Sequence, residues 1–137
     1  MGRDAYLETE SGEVLQTVGD PRCLIDWLES LAPPELIASL RRIDRYNDTI
    51  FSIPQIALLG DELRSISSFL NQNNLEAAKI RYKQRVEHWS RKGRENSEEY
   101  IQSITLEEIQ NHHSQLSVMV GSALKGDGRY HIRFVGD

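Results

Sequence analysis

The strongest constraint on the fold of this chain is a helical repeat of apolar residues in the stretch SIPQIALLGDELRSISSFL, residues 52–70. The apolar residues recur at alternating intervals of three and four: Ile56, Leu59, Leu63, Ile66 and Leu70. That spacing places them on one face of an α-helix. Ser52 and Gln55 stand in capping-box spacing at its start, and Pro54 falls within the first turn. The pattern predicts a helix of about four turns whose apolar face must be buried.

Three further segments carry helical spacing, and each has a recognisable start. The first starts with Asp20 as the predicted N-cap and Pro21 as the first helical residue. The second starts near Leu75, and the third at a capping box of Thr105 and Glu108. Their apolar faces comprise Leu24, Trp27, Leu28 and Leu31; then Leu75, Ala78, Tyr82, Val86 and Trp89; and finally Leu106, Ile109, Leu116, Val120 and Leu124. With the helix described above, the chain is predicted to contain about four helices.

The two ends of the chain carry strand patterns. Residues 6–18 are typical of a β-hairpin, with apolar residues on either side of the Ser11-Gly12 turn signal. The last apolar run, from Tyr130 to Val135, follows a turn at residues 126–128 and predicts a terminal strand. We therefore expect a small sheet that brings the two ends of the chain together.

Residues 36–51 fit two structures. Leu36, Ile37, Leu40 and Ile43 fit one face of a helix, whereas the same stretch also fits two short strands around a turn. We favour strands that start at about Leu40 and Thr49. The fold class predicted is α+β, with about four helices packed on a small, mostly antiparallel sheet, in a single domain of residues 1–137.

Composition narrows the setting in which the protein works. Cys23 is the only cysteine, so no internal disulfide can form, and this suits a reducing compartment. No stretch approaches the length of apolar sequence that a membrane span needs. We expect a cytoplasmic protein that has no contact with a membrane.

The sequence carries no pattern that predicts catalysis. Glu108, His112 and His113 lack the spacing of a zinc site, and His113 continues an apolar stripe, where a boundary role is more common. The glycines near residue 126 do not form a phosphate-binding loop, and no serine stands in a nucleophile elbow. We expect a protein that is not an enzyme and that uses no metal or cofactor.

A band of positive charge lies between residues 79 and 94. It holds seven of the sixteen Lys and Arg residues, although the chain has a net charge of −5. On a helix, Arg81, Arg85, His88 and Lys92 form a ridge beside the apolar face. The ridge can pair with acidic groups of the same fold, with an acidic protein surface or with nucleic-acid phosphates. The pI of about 5.4 and the absence of a nucleic-acid motif disfavour phosphate.

Two separated stretches, RIDRYNDTIFSIPQIALLGDEL and the closing HIRFVGD, resemble a pattern in small bacterial proteins of the toxin-immunity type. The first stretch contains Asp44, Tyr46 and Asp48 around a turn. The resemblance implies a cytosolic protein that binds and neutralises a toxin, but it assigns no role to individual residues.

The predicted function is a non-enzymatic protein-binding module, of which an immunity protein that neutralises a toxin is one form. The residues expected to contact the partner protein are Asp44, Tyr46 and Asp48 on a loop and Arg81, Arg85 and Lys92 on the ridge. The alternative is a nucleic-acid-associated regulator that uses the basic helix 79–94.

Overall fold

The computed structural model of the protein describes residues 2–86 and 98–136. Its strands are β1 (Asp4–Thr9), β2 (Val14–Val18), β3 (Thr49–Phe51) and β4 (Tyr130–Val135). Its helices are α1 (Leu24–Leu31), α2 (Ala38–Arg41), α3 (Ile53–Ile66), α4 (Gln72–Val86), α5 (98–103) and α6 (Leu106–Leu124). Single 3-10 turns lie at Pro34–Leu36 and Ser67–Phe69. The predicted α+β fold, with an N-terminal hairpin and a C-terminal strand, is confirmed.

The strands form one antiparallel sheet in the order β2-β1-β4-β3. β1 pairs with β4 along its whole length, from Asp4 opposite Val135 to Thr9 opposite Tyr130. The two ends of the chain therefore meet at the centre of the sheet. The hairpin turn includes Gly12 with a φ of +89°, a left-handed conformation that glycine adopts without steric cost.

One face of the sheet is packed against the helices. Along β1 and β4 the alternating residues Ala5, Leu7, Ile132 and Phe134 are at most 1% exposed. They belong to one hydrophobic cluster with the apolar faces of α1, α3 and α6. The residues between them point to the opposite face, where Ile50 of β3 is 58% exposed.

The first helix begins later than predicted. Asp20 was expected to be the N-cap, but α1 starts at Leu24, and Cys23 before it adopts a left-handed φ of 58°. The carboxylate of Asp20 still caps the helix, because it accepts hydrogen bonds from the N–H groups of Leu24 (2.5 Å) and Ile25 (3.4 Å). Asp20 thus performs the predicted task from one turn further away. The predicted apolar face of α1 is buried as expected.

The strand expected at Leu40 is wrong. Leu40 lies in α2 and is fully buried, while the strand expected at Thr49 is confirmed as β3. The cause is a distant residue: both carboxylate oxygens of Glu62, on α3, accept a hydrogen bond from the N–H of Ser39, at 2.9 and 2.7 Å. This contact satisfies a free amide in the first turn of α2.

The other helix boundaries follow the predicted signals closely. Both capping boxes, at Ser52 and Thr105, are formed. α4 begins at Gln72, three residues before the predicted start, and residues 98–103 form the additional helix α5. Within the described part of the chain, no helix has the length and apolar content to cross a lipid bilayer.

Candidate functional site

The loop between α2 and β3, residues 44–48, is held in shape by Asp44. Its Oδ1 atom accepts hydrogen bonds from the N–H groups of Tyr46 (2.7 Å) and Asn47 (3.2 Å). These contacts, led by the Tyr46 N–H, hold the pKa of Asp44 below its usual value. The backbone N–H of Asp44 donates to Thr49 Oγ1 at 2.9 Å. Asp44 therefore stabilises its own loop, as acidic residues in turns commonly do.

The side chain that this loop presents to solvent is Tyr46. It is 75% exposed, the largest exposure among the large apolar and aromatic residues of the described chain. Two residues further on, the carboxylate of Asp48 lies 3.2 Å from Nη1 of Arg133, on the open face of the sheet. The loop thus joins an exposed aromatic ring to a charged sheet surface.

The open face of the sheet carries an ionic network around Glu8. Arg133 donates to this carboxylate at 2.8 Å and His131 contacts it at 2.9 Å, while the Arg133 guanidinium lies 5.0 Å from the Tyr6 ring centre. The hydrogen bond from Arg133 is the main reason that the pKa of Glu8 lies below its usual value. Sequence reasoning missed this network, because the pairing of β1 with β4 is needed to bring Glu8 opposite His131.

Two depressions meet beside the loop. The first, of about 340 Å³, is lined by Arg3, Glu29, Arg41, Arg42, Ile43, Asp44, Arg45 and Tyr46. The second, of about 450 Å³, includes Arg81 of α4, and both depressions share Glu29 and Arg41. We name this region the arginine cleft and define it by Arg3, Arg41, Arg42, Arg45 and Arg81 around Glu29.

One side of the arginine cleft is neutralised within the fold. The buried guanidinium of Arg3 donates to Asp26 Oδ1 at 2.6 Å, and Arg45 donates to the same oxygen at 2.8 Å. Arg3 also lies 3.5 Å from Glu29. Burial raises the pKa of Glu29 despite the opposing effect of Arg3. Two carboxylates therefore face two guanidinium groups on this side of the cleft.

The other side keeps an excess of positive charge. Within residues 2–86 and 98–136, neither Arg41 nor Arg42 forms an ion pair, and both are exposed. The guanidinium of Arg42 lies 5.6 Å from the ring centre of Phe51, which holds it over the end of the sheet. Arg81 uses one nitrogen to donate to the backbone carbonyl of Ser30 at 2.8 Å. The cleft thus offers guanidinium groups to an acidic ligand.

The structure brings together residues from both groups that the sequence singled out. Asp44 and Tyr46 line the first depression and Arg81 lines the second. Arg85, also exposed, lies with its guanidinium 5.5 Å from the ring centre of Tyr82, and Asp48 lies on the sheet side of the loop. Lys92 lies outside the described residues, as do His88 and Trp89.

Sequence reasoning missed most of the arginine cleft. The run LRRIDR placed Arg41, Arg42 and Arg45 close together, and that local density of charge was a usable signal. Nothing in the sequence indicated that Arg3 and Glu29 would reach the same place, because they come from the N-terminal segment and from α1.

The two histidines of α6, His112 and His113, are buried and half-buried in the fold. His113 is half-buried, as its boundary position predicted, and its Nε2 lies 2.6 Å from the Leu63 carbonyl oxygen. His112 is 4% exposed, neither ring nitrogen has a hydrogen-bond partner, and burial lowers its pKa. Its closest carboxylate is Asp20, at 4.0 Å. Within the described residues, no three His, Cys, Asp or Glu side chains group as metal ligands.

Comparison with known proteins gives no relative for this chain. A scan against protein-family models, a search of curated proteins and a search of solved structures each found no significant match.

Proposed function

We propose that this protein is a non-enzymatic protein-binding module whose arginine cleft receives an acidic segment of a partner protein. The observation that carries the proposal is the pair Arg41 and Arg42, which are exposed and without an ion pair among the described residues. Arg and Tyr are the side chains most often found at the energetic centre of protein interfaces, and Tyr46 stands at the edge of the same cleft.

The charge of the cleft points to an acidic rather than a basic partner. The carboxylate of Asp44 accepts hydrogen bonds from the loop backbone, and the carboxylate of Asp48 forms an ion pair with Arg133. Neither is therefore a free anion for a basic ligand. Guanidinium groups form paired hydrogen bonds with carboxylates, and this gives an acidic segment both affinity and orientation. The contacts of the proposal are therefore Arg41, Arg42 and Tyr46, with Arg81 at the far end.

Toxin neutralisation is one form that such binding takes, and the resemblance to immunity proteins supports it. In this version, an acidic segment of the toxin occupies the arginine cleft. Tyr46 packs on an apolar part of the toxin next to that segment. The module then acts by covering the toxin surface, which requires no chemistry from its own residues.

Fluorescence anisotropy tests the proposal with a labelled peptide rich in Glu and Tyr. Arg41→Glu is expected to weaken binding about tenfold or more, since it replaces an attraction by a repulsion. Lys125→Glu is the matched control, because Lys125 is exposed at the end of α6 and does not line the cleft. The control should stay within about twofold of the unchanged protein.

The same assay separates the alternative function. A nucleic-acid-associated regulator would bind duplex or single-stranded oligonucleotides more tightly than the acidic peptide, with an affinity that falls steeply with salt. Stronger binding to an oligonucleotide would indicate that the cleft recognises nucleic acid instead of an acidic protein segment. Failure to bind either probe at low salt would reject the arginine cleft as a recognition site for acidic ligands.

A further inference from the structure

A second surface lies along β2 and, unlike the arginine cleft, it carries no charged side chain. This strand forms one edge of the sheet, and its five residues contain no charged side chain and no proline. Proteins usually block an exposed edge with lysine, with proline or by making the strand very short. The strand at the other edge, β3, is very short, since it spans three residues. Val14 and Leu15 of β2 are 46% and 43% exposed. The β2 edge is open to a further strand.

The helix beside this edge continues the uncharged surface. Gln16 of β2 donates to Ser122 Oγ of α6 at 3.0 Å, and a groove of about 410 Å³ runs between the two elements. Val118, which lines the groove, is 64% exposed. Residues 109–124 contain no Asp, Glu, Lys or Arg, although 27% of the chain is charged. We name this surface the neutral strip and define it by β2 and the groove-lining residues Ser114, Gln115 and Val118 of α6.

We propose that the neutral strip is the contact between two copies of this chain. In this arrangement β2 pairs antiparallel with β2 of the second copy, and two four-stranded sheets become one of eight strands. Antiparallel pairing suits a two-fold axis, because the same surface then serves both copies. An axis beside Gln16 sets Leu15 opposite Thr17 of the other copy, an uncharged pair.

Charge restricts the contact between two copies to this part of the surface. Each chain carries a net charge of −5, so two copies repel each other over most approaches. Along the neutral strip no like charges are brought face to face, and interface centres are generally depleted of charge. The exposed Val118 side chains then lie on the helical side of the extended sheet, where the two α6 helices can pack side by side.

Sedimentation velocity over a wide range of concentrations tests the dimer. The unchanged protein should show a monomer–dimer equilibrium. The double variant Leu15→Lys/Thr17→Lys should raise the dimer dissociation constant about tenfold or more, because it places charge on the edge. Leu58→Lys is the matched control: Leu58 is 57% exposed on α3, and its replacement should leave the equilibrium unchanged. Equal unfolding midpoints at a concentration where both proteins are monomeric would show that the double variant remains folded.

Hydrogen exchange locates the contact. The amides of residues 14–18 should exchange more slowly at high than at low protein concentration, since pairing closes the open edge. A protein that stays monomeric at every concentration would overturn the proposal and leave the edge to a different occupant. A dimer that the double variant does not weaken, or one without added protection at residues 14–18, would overturn it equally.

Discussion

Replacing Asp20 by alanine should remove the main anchor of the first helix. Asp20 is fully buried, and its carboxylate accepts hydrogen bonds from the N–H groups of Leu24, Ile25 and Arg3. Loss of a capping side chain costs about 1 kcal/mol. A buried amide left without a partner costs about 1–3 kcal/mol more. The bond to Leu24 is much the shortest of the three, so we count one such amide and expect Asp20→Ala to lower the free energy of unfolding by about 3 kcal/mol.

Urea denaturation followed by circular dichroism measures this loss. Asp20→Asn keeps one oxygen that can accept the Leu24 N–H, so it should lose only about 1 kcal/mol. Glu10→Ala, in the exposed hairpin turn, is the control for removing an acidic side chain and should change the free energy of unfolding by less than about 0.5 kcal/mol. If Asp20→Ala behaves like this control, the capping role assigned to Asp20 from one turn away is refuted.

Three further predictions concern stability. Burial lowers the pKa of His112, so as the pH falls the imidazole of the unfolded chain is protonated first, near pH 6.5, and the free energy of unfolding should decrease below that pH. Urea titrations at several pH values should show a flatter pH profile for His112→Leu, and an unchanged profile would contradict this cause. Glu8→Gln should lower the free energy of unfolding by about 2 kcal/mol at neutral pH, since Arg133 loses an ionised acceptor. Because the pKa of Glu8 lies below its usual value of 4.5, this loss of stability should shrink as the pH falls through the folded-state pKa, and a loss independent of pH would argue against the ion pair. Tyr100→Phe removes a hydroxyl that accepts from the Trp27 indole N–H at 3.0 Å and donates to the Arg22 carbonyl at 2.6 Å, so it should cost about 2 kcal/mol in urea unfolding. An equal or higher stability would show that these two bonds contribute nothing.

Local signals in the sequence were sufficient for most of the secondary structure. The capping boxes at Ser52 and Thr105 involve residues three apart, and both helices begin where those boxes place them. The terminal strand was predicted with its observed bounds, Tyr130–Val135. These elements depend on neighbours along the chain, and such neighbours are visible in a sequence.

The errors arose where a distant residue or an unforeseen turn conformation decides the structure. Leu40 was assigned to a strand, but the carboxylate of Glu62 satisfies the start of α2 from another helix. Asp20 was placed at the helix start, but the left-handed turn at Cys23 moves that start to Leu24. Neither the acceptor from α3 nor the turn conformation leaves a mark in the local pattern.

The candidate site was predictable only in part for the same reason. Tyr46 was singled out as a contact, and the structure shows it exposed at the edge of the arginine cleft. Arg81 was read as part of a ridge on one helix, yet it faces a cleft that α1 and α2 complete. Glu29, which both depressions share, carried no signal, because the arginines around it in the cleft come from other segments of the chain.

Nuclear magnetic resonance gives the most direct test of acidic-segment recognition by the arginine cleft. The isotopically labelled protein is titrated with the peptide rich in Glu and Tyr, and backbone amide shifts are followed. The account predicts saturable shift changes at residues 29–30, 41–46 and 81, which diminish with added salt. Shift changes that are absent, or that fall mainly along β2 and α6 instead, would contradict it.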